Sequence, residues 1–193
     1  MKTIAHRVGI VLCLAVGWVG SAQVSFADAL LRSGSGASPA DIQGIVGVFQ
    51  SDLGGVNHGD SGELHLSGYR SIDWDGVPDT SAAPGSLPAD YYNSTSPRGA
   101  LFSTPGTGLQ VSSTLASGVA VNFGNLDPSY ATTFQPFSAE RMFTPVGDVV
   151  TDITFFVPGN STQPAWVTGF GAVFSDVDSI GETSIELFDL ANN

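Results

Sequence analysis

Three carboxylates sit close together in Asp73-Trp-Asp-Gly-Val-Pro-Asp79, with a glycine between the second and the third. Hard cations such as calcium take oxygen ligands, and a loop supplies them from alternating positions around a glycine turn. Asp73, Asp75 and Asp79 match that requirement. The stretch is not an EF-hand, because position 77 is Val and no glutamate closes the loop. An Asx-type turn, in which the carboxylates accept backbone N–H bonds, accounts for the same residues. A second pair, Asp176 and Asp178, ends the apolar run Gly169–Ser175. On a strand these two share a face; in a loop they could share a cation, or simply begin a solvated segment.

Other chemistries find less support. Glycoside hydrolysis needs two carboxylates facing across a cleft. Glu63, Glu140, Glu182 and Glu186 are available, but no spacing marks a pair. His58 and His65 carry no zinc-binding H-E-x-x-H, and no Gly-x-Ser-x-Gly elbow or phosphate-cradling loop exists. Trp74, Trp166, Tyr69, Tyr91 and Tyr92 could present rings for sugar stacking, with Trp74, Tyr91 and Tyr92 the ligand-binding candidates. Tyr91 and Tyr92 cannot both point inward if extended, and Trp166 is expected to fill the core. Asn93-Ser-Thr95 and Asn160-Ser-Thr162 match a glycosylation pattern and read most simply as turns. No residue is assigned a catalytic role.

The N-terminus reads as an export leader. Lys2, His6 and Arg7 precede the apolar run from Val8 to Gly20, which is too short to span a membrane. Ser25-Phe26-Ala27 fits the cleavage pattern, with Gly20-Ser21-Ala22 as the competing site. The expected domains are a leader over 1–27, a flexible Ser/Gly/Ala-rich linker over 28–39, and a folded domain over 40–193. Cys13, the only cysteine, lies in the leader, so the mature chain forms no disulfide. Removal of Lys2 and Arg7 leaves four arginines against 18 acids, a net charge of −14. Such a field disfavours nucleic acid and anionic lipid and favours divalent cations. The expected location is extracellular or periplasmic, with no membrane anchor after cleavage.

The elements that must position these residues are mostly strands. Ser38-Pro39-Ala40-Asp41 starts a helix, Ile42, Ile45, Val46, Phe49 and Leu53 follow at helical spacing, and Gly54-Gly55 stops it. Glycines 44 and 47 weaken it. Beyond Gly62 the chain alternates short apolar runs with Gly/Pro turns. Residues 99–103 and 108–112 are expected to form a hairpin, 119–123 and 149–157 strands, 165–174 a central strand buried on both faces, and 183–189 an alternating strand. The long segment 76–96 reads as a functional or packed-down loop. The pattern predicts an all-β, jelly-roll-like β-sandwich with one short N-terminal helix. The chain stops at Asn193 just after a strand, which suggests a truncated domain with an open edge.

Five motifs carry a resemblance. Residues 71–79, 87–93, 96–108, 155–159 and 169–178 resemble a family of uncharacterised secreted bacterial proteins, many of which bear a Pro-Glu-Pro (PEP-CTERM) tail read by exosortases. The likeness runs from Ile42 to Asp189. It implies a secreted β-sandwich loosely associated with exopolysaccharide and biofilm matrix, with no established catalytic residues. The sorting tail itself is absent from this sequence. Residues 73–79 also resemble the end of a thrombospondin type 3 calcium repeat. The expected function is a non-catalytic secreted module, matrix- or polysaccharide-associated and calcium-stabilised. The alternatives are a carbohydrate-active hydrolase on a jelly-roll scaffold and a truncated member without independent function.

Overall fold

In the computed structural model, residues 8–14, 30–178, 181 and 183–188 are described, residues 8–14 by their backbone alone. Among the described residues eight strands form three small antiparallel sheets. They are β1 (Val8–Leu14), β2 (Leu30–Gly36), β3 (Ala100–Ser103), β4 (Gly108–Val111), β5 (Phe143–Val146), β6 (Asp152–Val157), β7 (Asn160–Pro164) and β8 (Gly169–Ser175). The sheet orders are β2-β1-β8, β3-β6-β7 and β4-β5. The helices are α1 (Pro39–Asp52) and two single turns, α2 (Tyr91–Ser94) and α3 (Tyr130–Thr133). The fold is β-rich, and no helix among the described residues is long and apolar enough to cross a membrane.

Helix α1 forms where its sequence signals lie. The Asp41 carboxylate accepts from the Ser38 backbone N–H and hydroxyl, both at 2.9 Å, which satisfies a donor the helix cannot. Gly54 and Gly55 end it in left-handed conformations that glycine adopts without strain. Ile42 and Phe49 are buried, and Val173 of β8 and Phe137 pack with them. The helix runs back along β2. Arg32 bonds Asp52, with Nε to Oδ2 at 2.8 Å, Gly34 abuts Ile45, and a side chain at Gly36 would collide with Asp41. Positions 32, 34 and 36 share one strand face, so the glycines let the helix approach.

The larger core lies around the other sheets. Val77, Leu87, Tyr91, Tyr92, Phe102 and Val111 are its buried centre, and Trp74, Phe143 and Phe155 pack against it. Phe155 of β6 meets Phe170 of β8 at 6.0 Å between ring centroids. Phe170 and Val173 lie on opposite faces of β8, so β8 contacts α1 on one side and β6 on the other.

Several expectations are corrected. Residues 30–36, expected to be linker, form β2. Strands β3 and β4 do not pair with each other: β3 pairs with β6 and β4 with β5, so the Thr-Pro-Gly-Thr turn joins two sheets. Residues 119–123 form no strand, because Asn122 and Phe123 both take positive φ, 50° and 64°. Strand β8 is only half-buried and, among the described residues, pairs with β1 alone. Thr183–Phe188 form no strand, and Asp189 lies outside the described residues, as does the leader's cleavage site. The run Val8–Leu14 at the heart of the expected leader is β1, paired residue by residue with both neighbours.

Candidate functional site

The loop from Asp73 to Asp79 is docked onto the segment 138–141. Trp74 adopts a left-handed backbone, φ 69°, at a cost of roughly 1–2 kcal/mol for a residue with a Cβ. An aromatic box holds it there. Its ring stacks on Phe143 at 4.4 Å and meets Tyr92 and Phe102 edge-on at 5.4 and 5.6 Å. The turn at Trp74 sets the two flanking aspartates. The Asp73 carbonyl accepts from the Ser138 hydroxyl at 3.2 Å, and the Asp75 carboxylate accepts from the Arg141 backbone N–H at 2.9 Å.

Arg141 completes the arrangement. Its side chain is 5% exposed and reaches the Asp79 carboxylate at 2.6 Å through Nη2. Nη1 donates to the Ser112 carbonyl at 2.8 Å, and Nε has no partner. Ser112 is fully buried; its hydroxyl accepts from the Met142 N–H at 2.8 Å. One guanidinium therefore ties the acidic loop to the end of β4. Asp79 faces a cation, and that cation is an arginine of the same chain; Asp75 meets the same residue through its backbone N–H.

The other candidates are placed elsewhere. Among the described residues no group of three or more Asp, Glu, His or Cys side chains stands close enough to hold a metal ion. Asp73, Asp75 and Asp79 are thus not gathered into one cluster, and Asp176 and Asp178 do not join them. Asp176 ends β8 with φ 63°, and Asp178 is exposed. Tyr91 and Tyr92 are 6% and 3% exposed, so both rings belong to the core. The one-turn helix α2 allows this where an extended chain would not. Burial pushes the Tyr92 hydroxyl above its ordinary pKa, and the Arg98 guanidinium lies over its ring at 5.3 Å.

The sequence missed two features. Trp166, expected in the core, is 86% exposed. It follows edge strand β7, whose Ser161, Thr162 and Gln163 are exposed as well. His58 and His65 stack ring on ring at 3.5 Å, with His58 bonded to the Ser67 carbonyl and His65 to the Ser61 hydroxyl. Burial, then the neighbouring His58 and Arg70 charges, lower the His65 pKa. A shallow hollow of about 220 Å³ is lined by Thr114, Leu115, Val121, Asn122, Pro136 and Glu140, with Glu140 its single carboxylate.

Comparison with protein-family models, with curated proteins and with solved structures finds no match to the chain.

Proposed function

We propose that the protein is an exported, non-catalytic module that meets an extracellular polysaccharide through Trp166 and the polar edge strand β7. The observation that carries this reading is the exposed Trp166, which follows the exposed Ser161, Thr162 and Gln163 closely in sequence. A flat apolar ring next to hydroxyls and an amide suits the two faces of a sugar, one stacking and the other hydrogen-bonding. The residue types that suggested chemistry have structural partners instead. The Arg141 guanidinium supplies a positive charge to Asp79, the Arg141 backbone N–H bonds Asp75, and Tyr91, Tyr92 and Trp74 build the core.

The architecture that fits this role is a small β-sandwich, with β8 meeting the sheet β3-β6-β7 at Phe170 and Phe155. Export follows from the leader pattern, and the resemblance to secreted matrix-associated proteins names the ligand class to try first. The test is binding to a panel of neutral and acidic bacterial exopolysaccharides, read by tryptophan fluorescence and calorimetry. At least one glycan should bind, and Trp166→Ala should weaken it about tenfold, or roughly 1.4 kcal/mol, with unchanged melting temperature. Binding untouched by Trp166→Ala, or no binding across the panel, refutes the proposal.

A further inference from the structure

Strand β1 occupies a slot between two strands that do not pair with each other. It pairs antiparallel with β2 from Val8↔Gly36 to Leu14↔Leu30, and with β8 from Val8↔Ser175 to Leu14↔Gly169. If export removes the leader, two rows of backbone donors and acceptors lose their partners at once. Unpaired edges of this kind recruit another strand.

We infer that in the exported chain this slot is filled by the chain's own segment Thr183–Phe188. The inference rests on the leader being cleaved. Direction supports it: a chain that folds back beside β8 after Ser175 runs antiparallel to β8, as β1 does. Because β2 and β8 both run opposite to β1, the same segment is antiparallel to β2 as well. Turn chemistry supports it, since Asp176 and Gly181 already hold positive φ of 63° and 87°. The sequence Thr-Ser-Ile-Glu-Leu-Phe alternates, and Leu187 and Phe188 are exposed at 49% and 63% in the intact chain.

One register fits. With Thr183 opposite Ser175, Ile185 falls opposite Val173, on the face where Val173 packs with Ile42 and Phe49 under α1. Gly34 lies across the slot at that level, because Ile10 pairs with both Gly34 and Val173. Ile185 would then enter the small core under α1. Among the described residues no strand pairs with the outer edge of β8 in the intact chain, and Thr183–Phe188 do not pair there. The slot differs in offering partners on both sides.

The experiment expresses the full chain with its own leader and purifies it from the exported fraction. Intact mass defines the N-terminus, and hydrogen exchange is followed for peptides covering 183–188 and 30–36. A cleaved monomer whose 184–188 amides exchange at least 100-fold slower than in the uncleaved chain supports the inference. Ile185→Asp should return those amides to fast exchange. Fast exchange at 184–188 in a cleaved wild-type monomer overturns the inference alone. A cleaved dimer in which β2 is protected and 184–188 are not overturns it in favour of a second copy. An exported chain that still begins at residue 1 overturns the leader reading and the inference with it.

Discussion

Replacing Arg141 tests whether the acidic loop is held by an internal counter-charge. Arg141→Met keeps most of the side chain's length and removes every donor. Two losses follow. The charge-assisted bond to Asp79 disappears; because the Asp79 side chain is 58% exposed, solvent screening limits it to about 1 kcal/mol. The Ser112 carbonyl loses the Nη1 donor in a fully buried setting, which costs about 1–3 kcal/mol. Relief from burying a guanidinium with an unpartnered Nε returns on the order of 1 kcal/mol. The net expectation is a destabilisation of about 2 kcal/mol, or a melting temperature lower by roughly 4–8 °C for a domain of this size. Asp79→Asn should cost about 1 kcal/mol, and the double variant should show coupling of about 1 kcal/mol between the two positions. Urea unfolding followed by tryptophan fluorescence, with the slope m held constant across variants, measures all three. If Arg141→Met lies within 0.5 kcal/mol of wild type, or the cycle shows no coupling, the clamp does not hold the loop.

Gly44→Ala and Gly47→Ala should each stabilise the fold by about 0.5–1 kcal/mol, because both sit inside α1 with open space around a new Cβ. Chemical unfolding checks this, and a loss of stability would contradict it. Gly36→Ala should destabilise by about 1–2 kcal/mol, since the added methyl displaces the Asp41 side chain from the helix cap. A neutral result would mean that α1 does not lie against β2 as described. The His65 pKa is lowered in the folded state, so the unfolded chain binds protons first as pH falls. Stability from this site is therefore present above the ordinary histidine pKa of about 6.5 and is lost as pH drops below it. Hydrogen exchange of residues 56–70 should quicken between pH 7 and pH 5 in wild type and less so in His65→Gln. Equal acceleration in both would refute the assignment.

Local signals were legible where they act locally. Ser38, Pro39, Asp41 and the Gly54-Gly55 stop marked α1 because a helix end is built from adjacent residues. Strand β6 was visible because Ile153 and Phe155 alternate with Asp152 and Thr154 in a run rich in β-branched and aromatic residues. Strand β2 was not, because Ser-Gly-Ser-Gly has the composition of a linker; its glycines answer to the approach of α1, a tertiary demand. The hairpin expected at the Thr-Pro-Gly-Thr turn failed for a similar reason: turn residues fix a reversal locally, while pairing is decided by which strand offers a matching edge. Asp73, Asp75 and Asp79 drew attention as oxygen ligands, but the residue that Asp75 and Asp79 contact lies more than 60 residues away in sequence. One signal pointed to it. Only four arginines follow the leader pattern against 18 acids, and all four make structural contacts. Trp166 was misplaced because an apolar run of its length suits a buried strand as well as a loop entering one.

The central claim is that the acidic loop and the aromatic cluster hold the fold, leaving the surface around Trp166 to meet the ligand. Thermal unfolding of the exported protein in EDTA and then in millimolar calcium tests the first half most directly. A cation that binds only the folded state raises its stability by RT ln(1 + [L]/Kd). The clamp by Arg141 predicts one cooperative transition at the same temperature in both conditions. A clear upward shift with calcium, lost in Asp75→Ala, would contradict it and make Asp73, Asp75 and Asp79 a metal site.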